Sequence, residues 1–195
     1  VDGYGVYDHF DEWEHIIVLY CMAHARRNFF DALTNDAARA QHALTEIKKL
    51  YDIEAHCKEH RLSIDQIREK RQTEAVPVLN NLGKWMTEQY IDIPPKSLIG
   101  AALAYSIKRW DKLRLYTSEG KLSIDNNCVE RSVRPVAIGR KNYLFCGSHE
   151  AAKRTALLYS LLVTCKLNDV NPYDWLQDGL TRIAEHPNLR ITELL

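Results

Sequence analysis

The sequence has no net charge, because its 26 Lys and Arg residues are balanced by 26 Asp and Glu residues. A chain that is neutral overall does not have the cation surplus typical of nucleic-acid-binding proteins. It also has no apolar run long enough to cross a membrane, so we expect no membrane partner. Its five cysteines are an odd number in mostly apolar or helical surroundings, which indicates reduced thiols and a cytoplasmic protein rather than a disulfide-bonded secreted one.

The charges that are present are unevenly distributed. Residues 1–20 contain five acidic residues and no Lys or Arg, whereas residues 121–165 contain seven Lys or Arg residues and three acidic ones. The acidic end and the basic segment could pair with each other, or they could meet at a site that holds both a metal ion and a phosphate. Composition alone does not decide between these two interpretations.

Hydrophobic periodicity changes along the chain from that of a strand to that of helices. The run EHIIVLYC, residues 14–21, is β-branched and aromatic, and it predicts a short buried strand. The following residues, from Met22 to Leu33, have helical spacing that places Ala25, Phe29 and Leu33 on one face. From about residue 36 onward the pattern is almost wholly helical. The sequence therefore predicts a small amount of β-structure followed by a helical middle and further helices.

Capping residues and prolines divide the helical middle into separate elements. Ser63 and Ser97 are placed to cap two helices, the second of which is predicted to run to near Gly120. Pro77 should kink or split the helix that begins at Ser63. Two further helices are predicted toward the C-terminus, over about 149–167 and from Tyr173 to about Glu185.

The stretch SIDNNCVERSVRPVAIGRKNYLF places Glu130 between two Asn residues and several cations. One interpretation is ordinary helix chemistry, in which Asp125 or Asn126 caps a helix and Glu130 pairs with Arg134 four residues later. Pro135 would then end that helix. This interpretation leaves the remaining cations of the stretch without a role.

The second interpretation of this stretch is a site where a metal ion meets a phosphate backbone. Glu130 would be a metal-binding carboxylate, and the neighbouring cations Arg131, Arg134, Arg140 and Lys141 would contact DNA phosphates. Because the cations cluster beside Glu130, we favour DNA binding over a merely solvated basic face.

Asp2 is a second candidate carboxylate. An Asp at a strand end, followed by Gly3, is a common position for a metal ligand, but it is also a common turn residue. From position alone the turn interpretation is favoured.

Two Cys-x-x-His pairs, Cys21 with His24 and Cys57 with His60, invite a comparison with zinc sites. Both pairs lie on or beside predicted helices, where side chains three residues apart share a face without a metal ion. The helix interpretation is therefore preferred, and zinc is left open.

Taken together, the blocks VDGYGVYD, CMAHARRNFFDAL, SIDNNCVERSVRP, GRKNYLFCGS and LLVTCKLNDVNPYDWL resemble, in this order, the catalytic region of bacterial transposases of the insertion-sequence-sixty-six family. The resemblance extends over the whole chain, and the D-N-N-x-x-E-R-x-x-R-P and G-R-K-N blocks are long enough to be specific.

The resemblance implies an α+β fold that is mostly helical, with a partial RNase H-like core interrupted by a helical insertion. Residues 1–33 would supply strands four and five of the core, with 14–21 as the fifth strand. Residues 34–120 would form the insertion. Residues 121–195 would contain the catalytic Glu helix and the C-terminal helices.

The resemblance also implies a DDE transposase that uses Mg²⁺ or Mn²⁺ to cleave DNA and transfer a strand. Asp2 matches the second catalytic Asp and Glu130 matches the catalytic Glu, and both would be metal ligands. The first Asp belongs to a strand upstream of Val1, so we expect the residues given to be part of a longer protein and to be inactive alone.

The other implications concern the core and the partners. Cys21 and His24 match a C-x-x-H element that we expect to brace the core beneath the active site. DNA, both transposon ends and target, is the expected partner, and a homo-oligomer is the expected active complex. The alternative is a non-catalytic DNA-binding or assembly fragment of a decayed transposase.

Overall fold

The computed structural model describes residues 1–187 and residue 190, and it divides the chain into two compact units, Val1–Asn127 and Cys128–Leu195. The predicted segment 121–195 thus includes residues 188, 189 and 191–195, which lie outside the described residues. Six helices belong to the first unit: α1 Met22–Asp31, α2 Ala37–Glu59, α3 Ile64–Lys70, α4 Val76–Tyr90, α5 Leu98–Lys108 and α6 Trp110–Arg114. Helix α7, Asn127–Tyr143, starts at the last residue of that unit and is followed by α8, His149–Leu167, and α9, Pro172–Ile183.

The predicted strand over residues 14–21 is wrong, because no strand is assigned among the described residues. A strand requires a ladder of backbone hydrogen bonds, and here the pairing is limited to Val1. Its amino group donates to the Leu19 carbonyl at 2.6 Å, and the Cys21 N–H donates to the Val1 carbonyl at 3.0 Å. This is the bonding pattern of a parallel pair, but it covers a single residue. The RNase H-like sheet is accordingly not seen in the described part of the chain.

The predicted helical middle is confirmed, including both of its serine caps. The Ser63 hydroxyl accepts a hydrogen bond from the Gln66 N–H, and the Gln66 side chain accepts one from the Ser63 N–H, which completes a capping box. The Ser97 hydroxyl accepts a hydrogen bond from the Gly100 N–H at 3.1 Å. These side chains satisfy amide donors that the first turn of a helix leaves without a partner.

The two helices that begin at these caps are each interrupted. A π-helical turn, Arg71–Ala75, separates α3 from α4, and Pro77 is the second residue of α4, as the prediction of a split helix required. The helix predicted from Ser97 to near Gly120 is divided at Arg109 into α5 and α6, and a 3₁₀ turn, Leu115–Ser118, completes it.

The prediction that Pro135 ends its helix is wrong. Pro135 lies inside α7, which continues for eight further residues to Tyr143. Proline lacks the N–H that would bond to the Arg131 carbonyl, but residues 128–135 are all exposed, so water can reach that carbonyl. The other two C-terminal helices agree with the prediction, since α8 has the predicted bounds and α9 differs by one or two residues.

The apolar core lies in the first unit, where α1, α2, α4 and α5 pack against one another. The predicted α1 face is confirmed for Ala25 and Phe29, which are both 1% exposed. Leu33, the third predicted residue, is half-buried against the core but lies in the 3₁₀ turn Ala32–Thr34 that follows α1. Within the described part of the second unit, only Cys165 is buried, and many apolar side chains are exposed. None of the described helices is both long and apolar enough to be a membrane span. The largest buried side chains of the core include Met22, Phe29, Ile47, Leu50, Leu79, Leu82, Met86, Leu103, Leu113 and Tyr116.

Among the described side chains, the core of the first unit contains one buried charge, the guanidinium of Arg71, which is 2% exposed. Its Nε and Nη2 donate to the two carboxylate oxygens of Glu54 on α2, at 2.8 and 2.7 Å. Its remaining donors bond to three carbonyls of the segment that leads toward α7: Tyr116 at 2.8 Å, Glu119 at 2.6 Å and Leu122 at 2.9 Å. All five N–H groups of the guanidinium are therefore used, which compensates for its burial.

The segment that Arg71 holds also approaches α3 at Gly120. A Cβ added at Gly120 would lie 2.0 Å from the Ile64 carbonyl oxygen, which is a backbone atom that cannot move aside. Only glycine therefore allows this close approach of the two backbones.

We predict that Arg71→Met lowers the free energy of unfolding by about 3–5 kcal/mol, because Glu54 and three carbonyls lose their donor. The matched control is Lys84→Met, which removes the Lys84–Glu88 pair, 3.9 Å apart and highly exposed. That change should cost at most about 1 kcal/mol. Urea denaturation of the two variants measures both values, and equal costs would contradict the role assigned to Arg71.

Candidate functional site

The Asp2 side chain is exposed and lies in a tight turn. Its Oδ1 accepts a hydrogen bond from the Tyr4 N–H at 2.9 Å, which is the bond of an Asx turn. The next residue, Gly3, has a φ of +89°, a left-handed conformation that favours glycine. The turn holds the carboxylate in a defined orientation, and Oδ2 makes no hydrogen bond with the described residues.

The helical middle contacts the Asp2 turn through α5, and this contact was not predicted from the sequence. The Tyr105 hydroxyl donates to the Asp2 carbonyl at 2.9 Å. The guanidinium of Arg109 lies over the Tyr105 ring at 4.3 Å and over the Tyr20 ring at 5.3 Å. A Cβ added at Gly3 would be 3.1 Å from Arg109 Nε, so a cation lies close to the turn that carries Asp2. Because Arg109 is 107 residues from Asp2, no local pattern could have indicated this proximity.

Asp125 organises the chain directly before α7. Its Oδ1 accepts a hydrogen bond from the Asn127 N–H at 3.1 Å, and its Oδ2 accepts one from the Asn127 side-chain amide at 2.7 Å. The predicted cap is therefore an Asx turn that leads into the helix. The Tyr51 hydroxyl, on α2, donates to the same Oδ2 at 3.0 Å. A helix of the central region thus supports the start of α7 through one carboxylate.

The chemistry of this contact keeps Tyr51 in the donor form. Burial raises the pKa of Tyr51 far above its ordinary value, and the negative charge of Asp125 raises it further. The phenol therefore remains protonated at every physiological pH. The Tyr51 hydroxyl can therefore donate its hydrogen bond to Asp125 over this whole pH range.

Cys21 and the residue after it contact the same region from another side. Cys21 is buried, and its sulfur accepts a hydrogen bond from the Asn126 N–H at 3.4 Å. The Met22 N–H donates to the Ile124 carbonyl at 3.1 Å. The start of α1 is thereby bonded to two of the three residues that precede α7, Ile124 and Asn126. His24, the other member of the predicted Cys-x-x-H element, is half-buried on α1.

The second Cys-x-x-His pair has a different setting. Cys57 is buried, which raises the pKa of its thiol, whereas His60 is exposed. A ring nitrogen of His60 lies 3.0 Å from the His56 carbonyl, and the His56 and His60 rings are stacked. Residues 1–187 and 190 contain no group of three or more His, Cys, Asp or Glu side chains arranged to hold a metal ion.

Glu130 lies in the first turn of α7 and is exposed. The positive end of a helix dipole favours a carboxylate at this position. The four predicted DNA-binding cations follow on the same helix, and all of them are exposed. None of these four cations forms an ion pair within the described part of the chain. The predicted ion pair between Glu130 and Arg134 is therefore not formed. By helical spacing, Arg131, Arg134 and Lys141 share one face of α7. Arg140 directly precedes Lys141 in the sequence.

Comparisons with known proteins identify the family. Residues 1–154 match the profile of the Transposase IS66 family, and residues 160–195 match that of the IS66 C-terminal element. Two uncharacterized proteins of Sinorhizobium fredii, y4hP and y4qI, are each 34% identical to the chain over 193 and 196 residues. These alignments include 92% and 95% of the chain but 35% of each relative, so the chain spans about a third of their length. No solved structure matches.

The two profiles together cover nearly all of the chain, and they agree with the resemblance found in its motifs. The chain therefore belongs to the IS66 transposase family.

Proposed function

We propose that this chain is the C-terminal part of a DDE transposase that cleaves DNA at transposon ends and transfers the cut strand. The observation that carries the proposal is the composition of α7, in which an exposed carboxylate in the first turn is followed by exposed cations that form no ion pair within the described residues. A carboxylate can bind a metal ion, and free cations can bind phosphates. Membership of a transposase family supports this interpretation of the combination.

Asp2 and Glu130 are proposed as two of the metal-binding carboxylates. Both are exposed, and carboxylate oxygens are the donors that Mg²⁺ and Mn²⁺ prefer. When bound, such ions activate the attacking oxygen and stabilise the leaving oxygen of a phosphodiester. The Asx turn orients the Asp2 carboxylate, and Glu130 lies in the first turn of α7.

We also propose separate roles for three segments of the chain. Residues 34–120 would be an insertion between the segments 1–33 and 121–195, which carry the two carboxylates. Helices α2 and α5 of this insertion would support both segments, since Tyr51 bonds to Asp125 and Tyr105 bonds to the Asp2 carbonyl. Cys21 would brace the start of α7 through its bond with Asn126.

We predict that Glu130→Gln, made in the complete transposase, abolishes cleavage and strand transfer and leaves DNA binding nearly unchanged. The amide has the same shape but lacks the negative charge that holds a metal ion. The matched control is Glu59→Gln, another exposed helical Glu, which should retain activity. An in vitro cleavage assay with Mg²⁺ or Mn²⁺ measures the difference.

If Glu130 had only a helical ion-pair role, the same substitution would cost about 0.2–0.5 kcal/mol and leave turnover nearly normal. That result would favour the alternative function, in which the chain is a non-catalytic DNA-binding or assembly fragment of a decayed transposase. The two outcomes differ by orders of magnitude in rate, so the assay separates them.

We predict that Arg134→Ala combined with Arg140→Ala weakens binding to all DNA sequences alike. Each lost phosphate contact should reduce the slope of log affinity against log salt by about 0.9, because fewer counterions are released. A double control, Lys58→Ala with Lys108→Ala, removes two exposed cations from other helices. Fluorescence anisotropy titrations at several salt concentrations give both quantities. Equal losses in the two double variants would show that the α7 cations have no special part in binding.

We predict that Tyr51→Phe lowers the free energy of unfolding by about 0.5–1.5 kcal/mol, because Asp125 loses a buried donor. Tyr116→Phe is the matched control, since the Tyr116 hydroxyl is buried and has no hydrogen-bond partner among the described residues. Its removal should be neutral or stabilising. Thermal or urea denaturation compares the two variants. A larger loss of unfolding free energy for Tyr116→Phe than for Tyr51→Phe would contradict the stabilising role of the Tyr51–Asp125 hydrogen bond.

A further inference from the structure

A groove of about 620 Å³ lies between α1 and α2 in the first unit, and nothing in the proposed catalytic set uses it. This volume is in the range of pockets that hold small organic ligands or single nucleotides. We call it the α1–α2 groove. Its lining includes Arg26, Phe30, Gln41, Lys48, Tyr51 and Asn127.

The charge of the α1–α2 groove is positive. Its lining contains two cations, Arg26 and Lys48, and no carboxylate. The Lys48 ammonium pairs with Asp52 at 2.5–2.8 Å, whereas Arg26 is exposed and forms no ion pair with a described carboxylate. The guanidinium of Arg26 is therefore free to bind an anion such as a phosphate.

The groove also offers an aromatic ring that is not part of the core. Phe30 is 57% exposed, although its neighbour Phe29 is 1% exposed and packs in the core. An exposed ring in a cationic groove is the arrangement on which single-stranded nucleic acids stack their bases. A paired base in a duplex has no free face to offer, so the ring favours an unpaired nucleotide over duplex DNA.

The location of the groove connects it to the proposed chemistry. Asn127, the first residue of α7, lines the groove, and Glu130 lies in the first turn of the same helix. Tyr51, which bonds to Asp125 at the start of α7, lines the groove as well. A nucleotide bound here would therefore contact Asn127, the residue at which α7 begins, three positions before the proposed catalytic carboxylate in the sequence.

We propose that the α1–α2 groove binds one unpaired nucleotide of the DNA end, with its base stacked on Phe30 and a phosphate held by Arg26. This proposal rests on the proposed function, because it assumes that DNA is the substrate. The Gln41 side chain, which also lines the groove, can offer hydrogen bonds to the edge of the base.

The test uses the complete transposase and two fluorescein-labelled duplexes of the transposon end, one blunt and one with a short single-stranded extension. Phe30→Leu retains an apolar side chain but removes the ring, and it should weaken binding of the extended duplex roughly fivefold to hundredfold. Binding of the blunt duplex should be unchanged. Phe30→Trp retains a ring and should bind the extended duplex at least as tightly as the natural protein.

The cation is tested separately with a neighbouring residue as control. Arg26→Ala should lower affinity for the extended duplex and reduce its salt slope by about one. Arg27 is also exposed and lies next to Arg26 on α1, but it does not line the groove. Arg27→Ala should therefore have a clearly smaller effect on the extended duplex.

Three results would overturn the groove proposal: Phe30→Leu binding the extended duplex normally, Phe30→Leu weakening both duplexes equally, or Arg26→Ala and Arg27→Ala having equal effects. Failure of the natural protein to bind either duplex would instead overturn the proposed function. If the natural protein binds the transposon ends and the groove variants bind them equally well, only the groove proposal is overturned and the proposed function stands.

Discussion

The buried guanidinium of Arg71 is the constraint on which the arrangement of the first unit depends. Its five N–H groups bond to the Glu54 carboxylate and to three carbonyls between residues 116 and 122. A buried charge is tolerated only when its donors are satisfied, so α2, the π-helical turn and the segment toward α7 must be placed together. The close approach of Gly120 to Ile64 is part of the same arrangement. Arg71 thus fixes where the chain leaves the helical middle.

The residues that follow this segment are held by contacts from three directions. Tyr51 of α2 bonds to Asp125, the Cys21 sulfur accepts the Asn126 N–H, and the Met22 N–H bonds to the Ile124 carbonyl. Each contact involves a buried or half-buried group, so each is worth more than the same contact in water. The residues directly before α7 are therefore held by contacts from both α2 and the start of α1.

Helix boundaries were predictable where local chemistry decides them. Ser63 and Ser97 cap their helices because a serine hydroxyl satisfies an amide three residues away, which depends on sequence neighbours alone. The prediction for residues 14–21 was wrong because a strand needs a partner, and partners are not encoded locally. Pro135 was wrongly taken as a helix end, because the cost of one lost hydrogen bond falls when water can reach the carbonyl. Asp2 and Glu130 remain predictions from motif and resemblance.

The sequence by itself determined the family, the helical character of the middle region and the candidate carboxylates and cations, since these depend on motif order, periodicity and residue type. Tertiary structure alone decided that Arg109 lies beside the Asp2 turn and that Tyr51 supports Asp125. It also decided that Phe30 is exposed in a cationic groove while Phe29 is buried. The reason is physical: contacts between residues 70 or more positions apart are set by how helices pack, and packing is a property of the whole fold rather than of any local pattern.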